Sequence, residues 1–210
     1  MNQKNGKNSL GLDACFEDLE NPIDLFRKWF AKAKESEIND PNALALATSN
    51  NKNQPSVRMV LLKGLSERGF VFYTNFNSKK SEDIKDNKNV SMCFHWKSLR
   101  RQVRIIGKVE KVSDKEADSY FNSRPYKNKI GAWASSQSKI LDKRENFLKK
   151  IKEFEKKYPD QNNVPRPEYW SGWRVLPNEV EFWVDVEGRI HERLSYKFKN
   201  DKWIKELLYP

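Results

Sequence analysis

The first regular pattern of apolar positions along the chain has the period of a helix. Apolar side chains recur every three or four residues at Leu25, Phe26, Trp29, Phe30 and Ala33. Asn21 stands directly before Pro22, which is a common order of an N-cap and a proline in the first helical turn. The pattern predicts an amphipathic helix that begins at Pro22 and ends before Asn39.

From residue 43 to residue 111 the apolar period changes to two, which is typical of strands. This part predicts a short helix over residues 78–87 and strands over residues 43–49, 56–65, 70–76, 89–96 and 101–112. Most of the connections between these strands are of hairpin length, and strands joined by hairpins pair antiparallel. We therefore expect a meander that closes toward a barrel.

The C-terminal half of the chain begins with helical patterns of apolar residues and ends with strand patterns. Helical patterns cover residues 114–122 and about 141–158, and the stretch IGAWASSQS at 130–138 reads as a loop between them. After a loop at 160–167 with two prolines, the pattern predicts strands over residues 169–176, 179–184, 188–198 and 203–208. The predicted fold class is mainly β within an α+β chain, with helices that flank the sheet.

The division into domains follows from the distribution of aromatic residues. The last strands are too few to bury their Trp residues alone, so we expect one domain over residues 21–210. Residues 1–20 are polar and mixed in character, and we expect a mobile N-terminal arm there.

Charge and cysteine usage limit the classes of function. The 210 residues carry a net charge of +11, which favours an anionic partner such as a nucleic acid, an anionic membrane or a small phosphorylated molecule. Only two Cys and two His occur, without a CxxC pair, which argues against a disulfide framework and a metal centre. The sequence has no secretory signal and no apolar stretch long enough for a membrane span, so we expect a cytoplasmic protein.

The segment EFWVDVEGRIHERLSY carries the most informative cluster of charges. Residues two apart on a strand share a face, so a strand would align Arg189, His191 and Arg193 together. Like charges on one face repel each other unless an anion lies among them. The alternative is the solvated face of an edge strand, which is the commoner origin of a basic triplet.

Other candidate residues lie at strand ends and helix starts. Arg58 and Lys63 bound an apolar run, and Tyr73 and Thr74 precede Ser78, Lys79 and Lys80, where a helix N-terminus could bind phosphate or simply be capped. Gln102 and Arg104 share a strand face, Gln137 and Ser138 follow the small-residue stretch, and Tyr120 and Arg124 could reach one phosphate from the end of a helix. A Walker loop and a GxGxxG motif are both missing from the sequence.

These pieces, in this order, resemble the pyridoxamine 5′-phosphate oxidase family of flavin enzymes. The resemblance runs from about Pro22 to Pro210. Its most specific segments are RMVLLK, FYTNFNSKK, RQVRIIGKVEKV, YFNSRP, IGAWASSQS and EFWVDVEGRIHER. The implied fold is an FMN-binding split β-barrel that works as a homodimer with FMN at the subunit interface.

The resemblance also implies roles for individual residues. FMN would contact Arg58, Met59, Val60, Leu61, Leu62, Lys63, Tyr73, Thr74, Lys79, Lys80, Gln102, Gln137, Ser138, Trp183 and Arg193. Lys63, Tyr120, Arg124 and Asn128 would hold the substrate phosphate, and Arg189 and His191 would lie over the substrate ring as the catalytic pair. The implied reaction oxidises pyridoxine or pyridoxamine 5′-phosphate to pyridoxal 5′-phosphate, with oxygen as acceptor and hydrogen peroxide as product.

The chain departs from the family pattern at three places. Val184 stands where the family has Gln after the EFW triplet, and Asn128 replaces a phosphate-contacting Ser. The family's N-terminal Arg and Tyr, which cover the bound substrate, have no clear counterpart in KNSLGLDACFEDLE.

Two other functions remain open from the sequence. One is a flavin-dependent split-barrel oxidase with another aromatic substrate, such as a phenazine-type oxidase. The other is a basic nucleic-acid-binding barrel, which the charge and the aromatic content would suit.

Overall fold

The computed structural model describes residues 7–210 of the chain. Its helices are α1 (Pro22–Ser36), α2 (Lys79–Asp86), α3 (Asp114–Asn122), α4 (Tyr126–Ala134) and α5 (Arg144–Lys157). Its strands are β1 (Ala43–Ser49), β2 (Pro55–Leu61), β3 (Gly64–Ser66), β4 (Gly69–Asn75), β5 (Asn89–Trp96), β6 (Arg101–Lys111), β7 (Trp170–Val184), β8 (Glu192–Lys199) and β9 (Lys202–Leu207).

All of these strands belong to one antiparallel sheet that curls into a half-barrel. Its order is β2-β1-β5-β6-β7-β4-β3, and β8 pairs with β7 and carries β9 at its outer edge. The long strand β7 therefore has β6 along one side, while β4 and β8 share the other side. The two ends of β7 thus belong to different parts of the sheet.

A β-bulge lies in the middle of the β6–β7 pair. The register shifts between Ile106 and Gly107, opposite Pro177. A side chain at Gly107 is excluded, because a Cβ there would lie 2.2 Å from the carbonyl oxygen of Leu176. Bulges bend a strand and increase its twist, so this one allows β7 to follow the curl of the sheet.

The core lies between the concave face of the sheet and α1. The ring of Phe26 lies 4.9 Å from that of Phe70 and 5.0 Å from that of Phe94, and Trp29 packs on Phe182 at 5.1 Å. Each such ring contributes about 1.5–3 kcal/mol when it is fully buried. Apolar burial of one helical face therefore fixes α1 against the sheet.

The predicted start of α1 is confirmed in its local chemistry. The side chain of Asn21 accepts a hydrogen bond from the backbone N–H of Ile23 at 2.9 Å, and Pro22 occupies the first turn. The predicted fold class, mainly β within an α+β chain, is also confirmed.

Several predicted boundaries are wrong. The stretch at 130–138 is not a loop throughout, because α4 covers residues 126–134 and only its end is irregular. The two strands predicted over 169–176 and 179–184 are one continuous strand, β7. The strand predicted over 56–65 is broken, because β2 ends at Leu61 and β3 begins at Gly64.

Residues 7–20 pack on the domain, which differs from the expected arm; residues 1–6 lie outside the described part of the chain. Phe16 is fully buried, and its ring lies 5.3 Å from that of Trp29. The hydroxyl of Tyr196 donates to the carbonyl of Leu19 at 2.9 Å. The Glu192 carboxylate accepts the backbone N–H of Asp13 at 2.5 Å, so the start of β8 holds this segment.

Among residues 7–210, none of the helices is long and apolar enough to cross a membrane. The cytoplasmic location stays a prediction of the sequence.

Candidate functional site

The largest group of predicted site residues meets in a cavity of about 830 Å³. Strands β2 and β4, the start of α2, the α3–α4 connection and the loop after α4 form its walls. The predicted residues that line it are Met59, Val60, Leu61, Lys63, Tyr73, Thr74, Lys80, Tyr120, Arg124, Asn128 and Gln137. We call this group the cavity half-site.

Three aromatic rings form one wall of the cavity half-site. The rings of Tyr73 and Tyr120 stack with centroids 4.0 Å apart, and Trp170 lies parallel to Tyr73 at 5.3 Å. Burial raises the pKa of Tyr73 to about 12, so its phenol stays protonated in the neutral range. The wall is therefore flat, neutral and rigid, which suits an aromatic ligand with a polar substituent.

Arg124 brings a partly buried positive charge to this wall. Its guanidinium carbon lies 4.6 Å from the centre of the Trp170 ring. Its Nη1 atom is buried and has no hydrogen-bond partner within residues 7–210. A buried guanidinium N–H without an acceptor is unfavourable, so an anion in the cavity would satisfy it.

Lys80 is a buried cation in the cavity, with 8% of its surface exposed. Its ammonium donates to the side-chain oxygens of Thr74, Ser78 and Gln137, each at 3.1 Å. Burial, with a smaller contribution from Arg58, lowers the pKa of Lys80 to about 8. The ammonium is thus surrounded by neutral oxygens, an environment in which an anionic ligand would be strongly attracted.

Arg58 lies behind Lys80 and is fixed by its neighbours. It donates to the carbonyl of Leu46 at 3.0 Å and to the hydroxyl of Thr48 at 2.8 Å. Asp83, with 1% of its side chain exposed, lies 3.8 Å from the guanidinium. Burial would raise the pKa of Asp83, but hydrogen bonds from Lys79 and Thr48 outweigh burial and hold it below its ordinary value.

Besides Arg58, three more of the cofactor contacts predicted around β2, α2 and the loop after α4 do not line the cavity. Lys79 points to the Asp83 carboxylate, and Leu62 is buried in the core. Ser138 is exposed, with a left-handed backbone angle φ of 70°. The sequence pattern placed these residues next to the others along the chain but gave no information on where their side chains point.

A second group of predicted residues lies where β6 begins, β7 ends and β8 begins. Gln102 pairs with Trp183 across β6 and β7, and Trp183 pairs with Arg193 across β7 and β8. Paired residues on neighbouring strands share a face, so the three side chains stand side by side. With Arg189 and His191, they form what we call the strand-end half-site.

The prediction that Arg189, His191 and Arg193 align on one strand is wrong. Residues 187–189 form a short helical turn, and β8 begins only at Glu192. Gly188 and Arg189 both adopt left-handed backbone angles, with φ of 73° and 61°. A non-glycine residue in this region is strained by roughly 1–2 kcal/mol, and such strain often occurs at functional sites.

The turn exposes the side chain of Arg189. Within residues 7–210, its exposed side chain has no carboxylate in ion-pair contact and no side-chain hydrogen bond. The direction of the Arg189 side chain is therefore set by the backbone turn at 187–189 and not by the alternation of side chains along a strand. Arg189 is therefore available to a ligand or to another protein chain.

His191 is held at the foot of the same turn. Its ring lies 4.7 Å from that of Trp183. Its Nδ1 atom lies 3.2 Å from both the backbone N–H of Val186 and the carboxylate of Asp185. A neutral ring can accept from Val186, and a protonated ring can donate to Asp185, so His191 has a partner in either charge state.

The two half-sites lie toward opposite ends of β7. Trp170 in the cavity and Trp183 at the strand end are thirteen positions apart on this strand. At about 3.3 Å per residue, this is roughly 40 Å of path along a strand that bends at its bulge.

Residues that the sequence reasoning missed support both half-sites. Trp170 lies against Tyr73 and Arg124, and Asn75 donates to the carbonyl of Ser135 at 3.2 Å in the wall of the cavity. Glu181, almost fully buried, pairs with Arg193. The alternation of EFW on a strand places Glu181 on the face of Trp183, which is the signal that could have identified it.

Comparisons with known proteins match two parts of the chain. Residues 30–158 match the family model described as "Pyridoxamine 5'-phosphate oxidase". Residues 170–210 match that of the "Pyridoxine 5'-phosphate oxidase C-terminal dimerisation region". Except for Gln102, the residues of the strand-end half-site, including Trp183 and Arg193, lie within this second region.

Individual relatives match over almost the full length. A pyridoxine/pyridoxamine 5′-phosphate oxidase of Pelagibacter ubique is 58% identical over 98% of this chain and 100% of its own. The same enzyme of Agrobacterium fabrum is 50% identical, covering 93% of this chain and 95% of its own.

Solved structures share the fold. PhzG from Burkholderia lata, in complex with tetrahydrophenazine-1-carboxylic acid, has a TM-score of 0.88 at 27% identity, covering 98% of this chain and 100% of its own. A pyridoxamine 5′-phosphate oxidase-related, FMN-binding protein from Nostoc punctiforme has a TM-score of 0.71 at 18% identity, covering 88% and 97%. The predicted split β-barrel is thereby confirmed.

Proposed function

The chain belongs to the pyridoxamine 5′-phosphate oxidase family, and from this premise we propose that it is an FMN-dependent oxidase. Its substrates are pyridoxine 5′-phosphate or pyridoxamine 5′-phosphate, and its product is pyridoxal 5′-phosphate. The observation that carries the proposal is the buried Nη1 atom of Arg124, which has no acceptor within residues 7–210 and lies beside the stacked rings of Tyr73, Tyr120 and Trp170. A phosphorylated pyridine would supply both the missing acceptor and a ring for the aromatic wall.

The cavity has separate groups for the phosphates of substrate and cofactor. Arg124 and Tyr120, with Lys63 and Asn128 on the same wall, suit the substrate phosphate. Lys80 and Arg58 suit the FMN phosphate, because the buried ammonium of Lys80 has only neutral oxygen partners among residues 7–210 and the guanidinium of Arg58 is fixed beside it. FMN therefore fits the residues present, and a pyrophosphate-binding glycine loop for FAD is missing from the sequence.

Bound FMN supplies the two-electron acceptor, and oxygen regenerates it with release of hydrogen peroxide. The protein's own contribution is binding, orientation and charge. Arg189 and His191 position the substrate ring and polarise the group that reacts. His191 can hold a proton on Nδ1 against Asp185 or accept a hydrogen bond there from Val186.

The complete site forms between two copies of the chain. The two half-sites of one chain lie toward opposite ends of β7, and the C-terminal region matches a dimerisation region. The sheet face beside the cavity also exposes the apolar side chains of Val57, Met59 and Ile106, which a second copy would cover. We propose that the partner subunit's Trp183 and Arg193 contact the FMN, and that the partner subunit's Arg189 and His191 cover the substrate.

A phenazine-type oxidase is not favoured. PhzG is 27% identical to this chain, whereas the pyridoxine/pyridoxamine 5′-phosphate oxidases reach 50% and 58%. A nucleic-acid-binding barrel is less well supported, because the cavity is enclosed by stacked aromatic rings around the buried ammonium of Lys80 rather than being a flat basic face.

The purified protein tests the proposal directly. We expect acid treatment to release FMN, and both phosphorylated vitamers to drive oxygen consumption with stoichiometric hydrogen peroxide. Arg68→Ala serves as the matched control for Arg124→Ala, because Arg68 pairs with Glu110 on the surface. Recovery of FAD, absence of a flavin, or equal loss of activity in the two variants would contradict the proposal.

A further inference from the structure

Glu181 is an acidic residue that lies almost fully buried within a cluster of arginines. Its side chain, on β7, is 3% exposed. Its Oε1 atom accepts a hydrogen bond from Nε of Arg193 at 2.9 Å, and its Oε2 atom accepts one from Arg104. The family resemblance assigned no role to Glu181, yet its carboxylate connects two arginines on the face that carries the strand-end half-site.

A second contact restrains the same guanidinium. Nη1 of Arg193 donates to the backbone carbonyl of Tyr209 at 2.7 Å, next to the end of the chain. The guanidinium is planar, so one bond at Nε and one at Nη1 together fix its plane. The N–H groups that remain on Nη1 and Nη2 can then donate to a ligand in one orientation.

The local electrostatics explain why a carboxylate occupies this position. Burial pushes the pKa of Glu181 upward, but the hydrogen bonds from Arg193 and Arg104 outweigh burial and keep the pKa below its ordinary value. Glu181 is therefore ionised in the neutral range. Without its charge, Arg193 and Arg104 would repel each other across one position of the sheet.

We infer that Glu181 is a positioning residue that fixes the orientation of Arg193 for its contact with the flavin. The inference rests on the proposed function, since it assumes that Arg193 contacts FMN. Glu181 itself touches neither cofactor nor substrate. Its action passes through Arg193, and this dependence can be measured separately from any effect on folding.

The experiment is a double-mutant cycle on FMN binding by apoprotein prepared from the holoenzyme. Glu181→Gln keeps the shape of the side chain and removes its charge. We expect it to weaken FMN binding by about tenfold in the wild-type background, and by less than about twofold when Arg193 is already Ala. Glu206→Gln is the matched control, because Glu206 pairs with Lys197 on the neighbouring strands and makes no contact with Arg193; it should leave FMN binding unchanged.

Folding is controlled by a thermal melt of each apoprotein. If Glu181→Gln does not fold, the double variant Glu181→Gln/Arg104→Gln replaces it, because the second change removes the arginine left without a carboxylate. The same cycle with Arg193→Ala is then measured in that background. Arg104 is half-exposed, so its replacement by Gln is tolerated.

The outcomes separate this inference from the proposed function. If Arg193→Ala leaves FMN binding unchanged, the proposed flavin contact of Arg193 is wrong. If Arg193→Ala weakens binding but Glu181→Gln weakens it equally in both backgrounds, Glu181 acts independently of Arg193 and the inference is overturned. Tighter or unchanged FMN binding in the Glu181→Gln variant would overturn it as well.

Discussion

The cavity half-site and the strand-end half-site differ in how the protein holds their positive charges. In the cavity half-site, Lys80 is buried and Arg124 is partly buried with a buried Nη1 atom, and neither has a carboxylate partner within residues 7–210. In the strand-end half-site, Arg193 is paired with Glu181, and Arg189 extends from an exposed, left-handed turn. The first half-site leaves its charges for a ligand to neutralise, whereas the second uses protein contacts to orient them.

This difference indicates which half-site contributes the affinity for phosphate and which orients the bound rings. Buried cations without counterions attract a phosphate strongly, because the surrounding dielectric is low and no protein anion competes. A guanidinium already paired with a carboxylate offers less net charge but a fixed direction for its remaining donors. We therefore assign phosphate binding to the cavity half-site and alignment of the rings to the strand-end half-site.

The largest expected effect comes from mixing two inactive variants. Arg124→Ala damages the cavity half-site and Arg189→Ala damages the strand-end half-site, so each homodimer should be nearly inactive. After subunit exchange, half of the dimers are mixed, and each mixed dimer has one site built from two intact halves. We expect activity to recover to about a quarter of the wild-type value in an oxygen-consumption assay. If mixing restores no activity, the two half-sites do not come from different chains.

The second prediction concerns Arg124 alone. Arg124→Met keeps an apolar stem beside Trp170 and removes the charge, so the substrate phosphate loses a charge-assisted hydrogen bond worth about 1.5–3 kcal/mol. We expect kcat/KM to fall roughly ten- to a hundredfold, mainly through KM, in steady-state kinetics. Apoprotein stability should not fall, because the variant also removes the unpaired buried group. A fall in kcat with unchanged KM would place Arg124 outside the phosphate site.

The third prediction is a pH dependence with opposite signs for binding and stability. Burial lowers the pKa of Lys80 to about 8, so the ammonium loses its proton above that pH and FMN binding to the apoprotein should weaken. In the unfolded chain the pKa returns to 10.5. Between these values the unfolded state binds more protons, so the Lys80 contribution stabilises the apoprotein as pH rises.

Fluorescence titration with FMN and urea unfolding, both as a function of pH, measure these two trends. Lys80→Met is the control, because it cannot titrate and should bind FMN weakly at every pH. The assignment to Lys80 is wrong if the variant keeps the wild-type slope of FMN affinity against pH.

The prediction with the smallest expected effect compares the free energies of unfolding of two variants, one with a substitution near each half-site. Gly188→Ala adds a methyl group at φ of 73°, which L-residues rarely adopt, and should lower the free energy of unfolding by about 1 kcal/mol. Gly131→Ala lies within helix α4 and should raise it by about 0.5–1 kcal/mol. In both positions the new Cβ would have no heavy atom within 4 Å, so only the backbone differs. Urea unfolding of the apoproteins would show equal shifts if the turn were not strained.

The sequence was sufficient for the elements whose period is clear. The N-cap and apolar stripe of α1 and the alternation in β1, β5 and β6 correspond to observed elements, because each buries one face. Helix α4 was missed because its small residues, such as Gly131 and Ala132, give no apolar stripe. It exists because packing against Trp170 and α5 stabilises a segment of weak intrinsic preference.

The sequence was sufficient to predict which residues form the candidate site, but not how the fold arranges them in space. The residues GRIHER alternate like a strand, and only Gly188 indicated the turn that actually presents Arg189. Sequence spacing also could not tell that Trp170 and Trp183, both on β7, belong to separate half-sites. That division depends on which strands pair with each end of β7, and pairing between distant segments is set by the whole fold.

Strand β7 also sets a limit on changes in chain length. Successive side chains on a strand alternate between faces. Insertion of one residue between Trp170 and Trp183 would therefore move the β7 side chains of one half-site to the opposite face of the sheet, while those of the other half-site stayed in place. Insertion or deletion of two residues would preserve both faces but would move the half-sites by about 7 Å relative to each other. Length variation among natural versions of this protein should therefore occur in the loops, with the number of residues from 170 to 183 held constant.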